Sequence, residues 1–197
     1  MIWVAIFMEL LLLAAAIWLY VIIIKLYLNK EYRECPPYVP SFGAEKKVIF
    51  ERVSAKLAAS KEKLTILDPG CGTGTLIIDL AKRFPNHCFV GIEWGKPAYL
   101  IAKRKASKLK NVTLLQQDMF TYSFAKADII VCFLMQPLME RFGKKLLSDC
   151  REKETTVYSN TFYIPNLKPV EKISTEKSSF IKKFALIKNV YVYKLPQ

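Results

Sequence analysis

The chain has 197 residues, with 30 Lys and Arg against 17 Asp and Glu, one His, and a net charge of +13. That length accommodates one domain and an extra segment. Its five cysteines (Cys35, Cys71, Cys88, Cys132, Cys150) form no C-x-x-C pair and no Cys/His cluster, which excludes a metal framework and points to reduced, buried thiols in a reducing compartment.

Residues 1–24 are almost wholly apolar, hold no Lys or Arg, and have Glu9 as their one acid. As a helix they extend about 36 Å, enough to cross a bilayer's hydrocarbon core. Trp3, Tyr20 and Tyr27 sit where interfacial aromatics would, and Lys25, Lys30 and Arg33 follow. We expect a single-pass transmembrane anchor over 1–28, with the rest of the chain on the cytoplasmic side by the positive-inside rule. A cleaved signal peptide fits less well, lacking a basic n-region and a small-x-small site. A buried core helix fits poorly with so apolar a run. Glu9 costs up to roughly 3 kcal/mol at mid-bilayer and less near an end. All 30 basic residues and 16 of the 17 acids follow residue 24, so that part carries +14. This suits a domain beside an anionic surface, membrane or nucleic acid, or simply a solvated basic surface.

Residues 29–43 form a linker whose three prolines favour extended chain. Its aromatic–proline segment, Tyr38 to Phe42, reads as a tether or as a lid over a pocket. The domain, 44–197, opens with a helix over 44–59 that places Val48, Ile49, Val53, Leu57 and Ala58 on one face. A strand over 64–68 runs into three glycines at alternate positions, Gly70, Gly72 and Gly74, and a helix over 76–84 ends before Pro85. His87 falls in the next turn and reads as a surface histidine. A strand over 88–92 ends in Glu93, and Pro97 fits the first turn of a helix reaching about 109. That helix carries a basic face of Lys103, Arg104, Lys105, Lys108 and Lys110. Strands follow over 112–116 and 128–133, a helix over 138–150, and a strand over 155–159. The alternating stretch 184–195 reads as a closing hairpin or edge strands. Strands alternating with helices predict an α/β fold with a doubly wound, mostly parallel sheet.

Glycine admits φ > 0 and close approach to the backbone, and free N–H groups at a helix start receive polar or anionic groups. The loop thus suits a nucleotide-type cofactor. Its G-x-G-x-G spacing differs from the G-x-G-x-x-G of dinucleotide folds. With Asp68 two residues before the first glycine, it resembles motif I of the class I S-adenosylmethionine-dependent methyltransferases. The resemblance implies S-adenosyl-L-methionine as cofactor and a Rossmann-like fold. It implies that Asp68, Gly70, Gly72 and Gly74 form the methionine-side loop and that Glu93 binds the ribose hydroxyls. It further implies that Asp118 lies near the adenine, with Met119 on the ring. The Asp/Asn-Pro-Pro-aromatic clamp of nucleobase amine methyltransferases is missing from 133–137, which counts against a nucleic-acid target.

The order of segments also resembles the membrane-anchored protein-lysine methyltransferases acting on the ATP synthase c-subunit and the adenine nucleotide translocase. An apolar segment precedes PYVPS at 37–41, GIEWGKPAYL, FLMQPLMERFGKKL and SNTFYIPNLKP. Phe162 and Pro165 match that family's Phe-x-x-Pro. The chain departs from the family pattern at Pro69, Thr73 and Leu167. The resemblance implies a protein lysine as substrate, in a membrane protein, with the membrane as partner through the N-terminal helix. Gln136 and Asn160, whose side-chain carbonyls can orient an amine, and Phe162 are the candidate substrate-positioning residues, with Tyr38, Phe42, Tyr163 and Pro165 in the substrate cleft. RNA or small-molecule methylation with the same cofactor site, and a non-catalytic cofactor-binding module, are the competing readings.

Overall fold

The computed structural model describes residues 2–28, 44–175 and 189–197, with the side chains of the first helix described over 7–22. The chain divides into two units, Met1–Pro37 and Tyr38–Gln197. The first contains helix α1 (Ile2–Leu28), whose described apolar side chains, Phe7 to Val21, are exposed. Among the described residues no helix is long and apolar enough to cross a membrane. The transmembrane anchor expected over 1–28 is therefore not established by the structure. The expected linker over 29–43, with Tyr38 and Phe42, lies outside the described residues.

The second unit runs α2 (Ala44–Ala59), β1 (Thr65–Pro69), α3 (Thr75–Arg83), β2 (Cys88–Ile92), α4 (Lys96–Ala106), β3 (Val112–Leu115), a 3-10 turn (Met119–Thr121), β4 (Ile129–Cys132), α5 (Gln136–Asp149), β5 (Thr155–Asn160), β6 (Glu171–Ser174) and β7 (Asn189–Leu195). The seven strands form one sheet in the order β3-β2-β1-β4-β5-β7-β6. Strands β3 to β5 are parallel, and β7 is antiparallel to both its neighbours.

The sheet separates two cores. Side chains alternate across a strand, so Ile66, Ile129 and Val131 face α2 and α3, while Leu67, Ile130 and Cys132 face α5. The central strands are buried on both faces; β4, Ile-Ile-Val-Cys, is an unbroken apolar run, and β1 carries Ile66 and Leu67 before Asp68. Helix α2 buries Ile49, Val53 and Leu57 as expected, whereas Ala58 is exposed.

Two expectations need correction. The 189–195 strand is not an edge: β7 lies between β5 and β6, with Tyr193 fully buried. The edge is β6, whose Glu-Lys-Ile-Ser is polar because it packs on one side only; Arg52 of α2 pairs with Glu171 at 2.7 Å. His87 is buried, not a surface residue. Its Nδ1 accepts from the Leu64 N–H at 3.1 Å, which leaves Nε2 as the donor to the Leu57 carbonyl at 3.2 Å. The imidazole thus ties the end of α2 to the start of β1.

Candidate active site

The glycine loop leaves β1 at Pro69 and enters α3 at Thr75. Gly70, Gly72 and Gly74 all have positive φ, at 87°, 56° and 71°. At Gly74 the demand for glycine is double, since a Cβ would also lie 2.8 Å from Ile78 Cδ1 and 3.2 Å from Ala102 Cβ. Two loop amides, Gly70 and Cys71, donate to the Ile92 carbonyl at 2.8 and 2.9 Å, anchoring the loop on β2.

Glu93 completes that anchor. Its Oε2 accepts from the Gly72 N–H at 2.8 Å and its Oε1 from the Gly95 N–H at 2.7 Å. A carboxylate has about four acceptor sites, so two remain to take hydroxyl groups. Asp68 lies one strand away and is buried. Desolvation, followed by the nearby Glu93 charge, pushes its carboxyl up to about 7. Burial, with the same two carboxylates, also pushes the Cys71 thiol up, so it stays a neutral packing group. The Asp118 side chain accepts from the Phe120 N–H at 2.9 Å and caps the 3-10 turn that begins at buried Met119.

A cleft open to solvent, with a cavity of about 50 Å³, is lined by Asp68, Gly70 and Thr75 from the loop side and by Phe133 and Asn160 from the ends of β4 and β5. Lys46 of α2 also reaches it and pairs with Asp79 at 3.7 Å. Phe133 stacks on Phe162, with centroids 6.4 Å apart and planes 15° apart. The turn between Asn160 and Phe162 is tight. The Phe162 N–H donates to the Asn160 carbonyl at 2.8 Å across Thr161, whose φ is 73°. This γ-turn is of the rare, strained kind, and costly for a β-branched residue. The Thr161 hydroxyl donates to Asn160 Oδ1 at 2.9 Å, leaving the Asn160 amide nitrogen as its remaining polar group.

The structure thus brings Asp68, Gly70 and Asn160 to one cleft, with Phe162 behind Phe133. Gln136 is exposed in the first turn of α5 and does not line it. Tyr163 is exposed and edge-on to Tyr191, and the Pro165 carbonyl faces Gly143 of α5. Sequence reasoning missed Phe133, Lys46 and Thr161. Phe133 stands where β4 ends, which its position after an apolar run could have signalled. Lys46 and Thr161 carry no local signal. Among the described residues no group of three His, Cys, Asp or Glu could hold a metal ion.

The neighbouring Asp68 and Glu93 carboxyls at the ends of β1 and β2 suit a cofactor bearing a sulfonium and an ammonium group. Comparison with known proteins agrees. The ANTKMT methyltransferase domain matches residues 68–171, just over half of the chain. A protein-lysine N-methyltransferase of Saccharolobus islandicus is 28% identical over 145 residues, covering 71% of this chain and 87% of that protein. An RNA methyltransferase from Salinibacter ruber, crystallised with S-adenosyl-L-homocysteine, superposes with a TM-score of 0.64 at 19% identity, over 81% of this chain and 95% of that one. TYW2 of M. jannaschii, crystallised with AdoMet, gives 0.57 at 16%, over 79% and 77%. At these identities the two structures share the fold. The chain belongs to the ANTKMT methyltransferase-domain family and is a class I, S-adenosylmethionine-dependent methyltransferase.

Proposed function

We propose that the protein methylates the side-chain amine of a protein lysine, and that α1 anchors it in a membrane whose proteins supply that lysine. The observation that carries the lysine reading is the stacked Phe133–Phe162 pair beside Asn160 in the cleft that holds Asp68. The likeness to the Saccharolobus protein-lysine methyltransferase supports it. Asp68, Gly70, Gly72, Gly74 and Glu93 hold the cofactor, with Asp118 and Met119 at its adenine end. Bound S-adenosylmethionine supplies a methyl group on an electron-poor sulfur.

The chain's own residues prepare the acceptor. A free lysine has a pKa of about 10.4 and attacks only when neutral. Burial against the Phe133–Phe162 wall disfavours the ammonium and promotes loss of its proton to solvent. The Asn160 amide orients the target, and alignment in the cleft supplies much of the rate. Gln136 and Tyr163, both exposed, contact the polypeptide that carries the lysine together with Pro165, and the same role is proposed for Tyr38 and Phe42.

For the anchor, the support is 27 helical residues with exposed apolar side chains from Phe7 to Val21 and no basic residue before Lys25. The domain then lies on the cytoplasmic side by the positive-inside rule. A membrane-bound enzyme searches in two dimensions, which raises the effective concentration of a membrane substrate. Incubating the full chain with tritiated S-adenosylmethionine and membranes, followed by mass spectrometry, should place label on a lysine of a membrane protein. Label confined to RNA or lipid would overturn the substrate, and extraction of the chain from membranes by alkaline carbonate would overturn the anchor.

A further inference from the structure

Helix α4 is built inside out. It buries Ala98, Ala102 and Ala106, and exposes its large apolar residues, Leu100 at 50% and Ile101 at 47%. Trp94, in the loop before it, is 44% exposed. A surface helix ordinarily turns its large apolar residues toward the core. Around these three the charge has one sign. Residues 94–117 contain Lys96, Lys103, Arg104, Lys105, Lys108 and Lys110 and no Asp or Glu. Lys96, Leu100 and Arg104 follow one another four residues apart, on one stripe.

None of these six forms an ion pair with a described carboxylate. Lys105 reaches the Thr73 carbonyl at 3.4 Å, and Lys103 lies over the Tyr99 ring. The basic band continues beyond α4: Lys63, Lys82, Lys108, Lys110 and Lys126 line a shallow cleft at the starting ends of β1 to β3, with no acid in its wall.

From this arrangement we infer that the outer face of α4 docks on an anionic phospholipid surface, Trp94, Leu100 and Ile101 entering the headgroup layer and the lysines and Arg104 contacting lipid phosphates. An apolar centre ringed by cations is what an interfacial helix presents. A nucleic-acid backbone would use the cations and leave Leu100 and Ile101 in water. Trp94 directly follows Glu93, so docking sets the cofactor loop beside the bilayer. The inference concerns the domain's own surface and is independent of whether α1 spans the membrane.

The test uses the full chain with Trp3→Phe and Trp18→Phe, leaving Trp94 as the one tryptophan. Its fluorescence is followed on vesicles containing brominated lipid, made either of phosphatidylcholine alone or of phosphatidylcholine with phosphatidylglycerol. We expect quenching several-fold greater on the anionic vesicles, falling as salt is raised. Lys103→Glu/Arg104→Glu/Lys108→Glu should abolish the difference, and Leu100→Gln/Ile101→Gln should reduce the quenching, with S-adenosylhomocysteine affinity unchanged in both. Equal quenching on the two vesicle types with the unaltered face, or quenching indifferent to both variants, overturns the inference. So does single-stranded RNA binding that the charge variant loses while the vesicles never quench Trp94.

Discussion

Across β1 to β4 the strands are parallel, and each residue of interest stands at or just beyond the end of its strand: Asp68 in the last two residues of β1 and Gly70 just after it, Glu93 after β2, Asp118 after β3, Phe133 after β4. Across β5, β7 and β6 the pairing turns antiparallel, and Asn160 and Phe162 are held by a strained turn at Thr161 rather than by a loop motif. The first region relies on backbone geometry that glycine alone adopts easily. The second relies on contacts made far apart in sequence, such as the Ile164 N–H donating to the Tyr193 hydroxyl at 2.9 Å. One fold thus builds the glycine-loop side of the cleft from short local patterns and the Asn160–Phe162 side from packing.

Four substitutions sharpen or break that contrast. The largest effect belongs to Asp68. Its folded carboxyl titrates near 7 against an ordinary value of 3.8. The folded protein therefore keeps a proton that the unfolded chain has lost, and stability falls as pH rises from about 4 to about 7. Asp68→Asn should flatten this slope by up to about 4 kcal/mol, read as the difference between the two denaturant-unfolding profiles against pH. A slope unchanged by the substitution would break the assignment.

Next, Glu93→Ala removes two charge-assisted hydrogen bonds of about 1.5–3 kcal/mol each. Cofactor affinity should drop by about a hundredfold or more in calorimetry, while the thermal transition survives. Third, Gly74→Ala forces a Cβ into a left-handed position against Ile78 and Ala102 and should cost about 1–3 kcal/mol of stability in chemical denaturation. The smallest and most telling change lies on the other side. Thr161→Gly relieves the strained φ and should raise stability by about 1 kcal/mol. It also frees Asn160, and kcat should fall about tenfold, or about 1.4 kcal/mol. Thr161→Ser should restore the rate. If glycine at 161 left kcat intact, the turn would be a bystander.

The same contrast governs what could be read from the sequence. The glycine loop, Glu93 and the bounds of α2 and β2 were legible because their physics is local: φ requirements, a strand-end acid, helical periodicity. The position of β7 was not, because alternation says that a strand is half-buried and not which strands flank it. Strand β6 escaped notice because three of its four residues are exposed. His87 was misread because its partners, the Leu57 carbonyl and the Leu64 N–H, meet it only once α2 has docked. Phe133 and Thr161 matter through stacking and a turn, neither of which has a motif.

The place of β7 sets an order on the birth of the enzyme. It is the last of the described strands to leave the ribosome, yet it fills the slot between two strands made before it. Until it arrives, the outer edge of β5 is an open row of hydrogen-bonding groups, and β6 has no neighbour to pair with. The glycine-loop strands all precede β7 in the chain, so the sheet beside Asn160 is the part completed last.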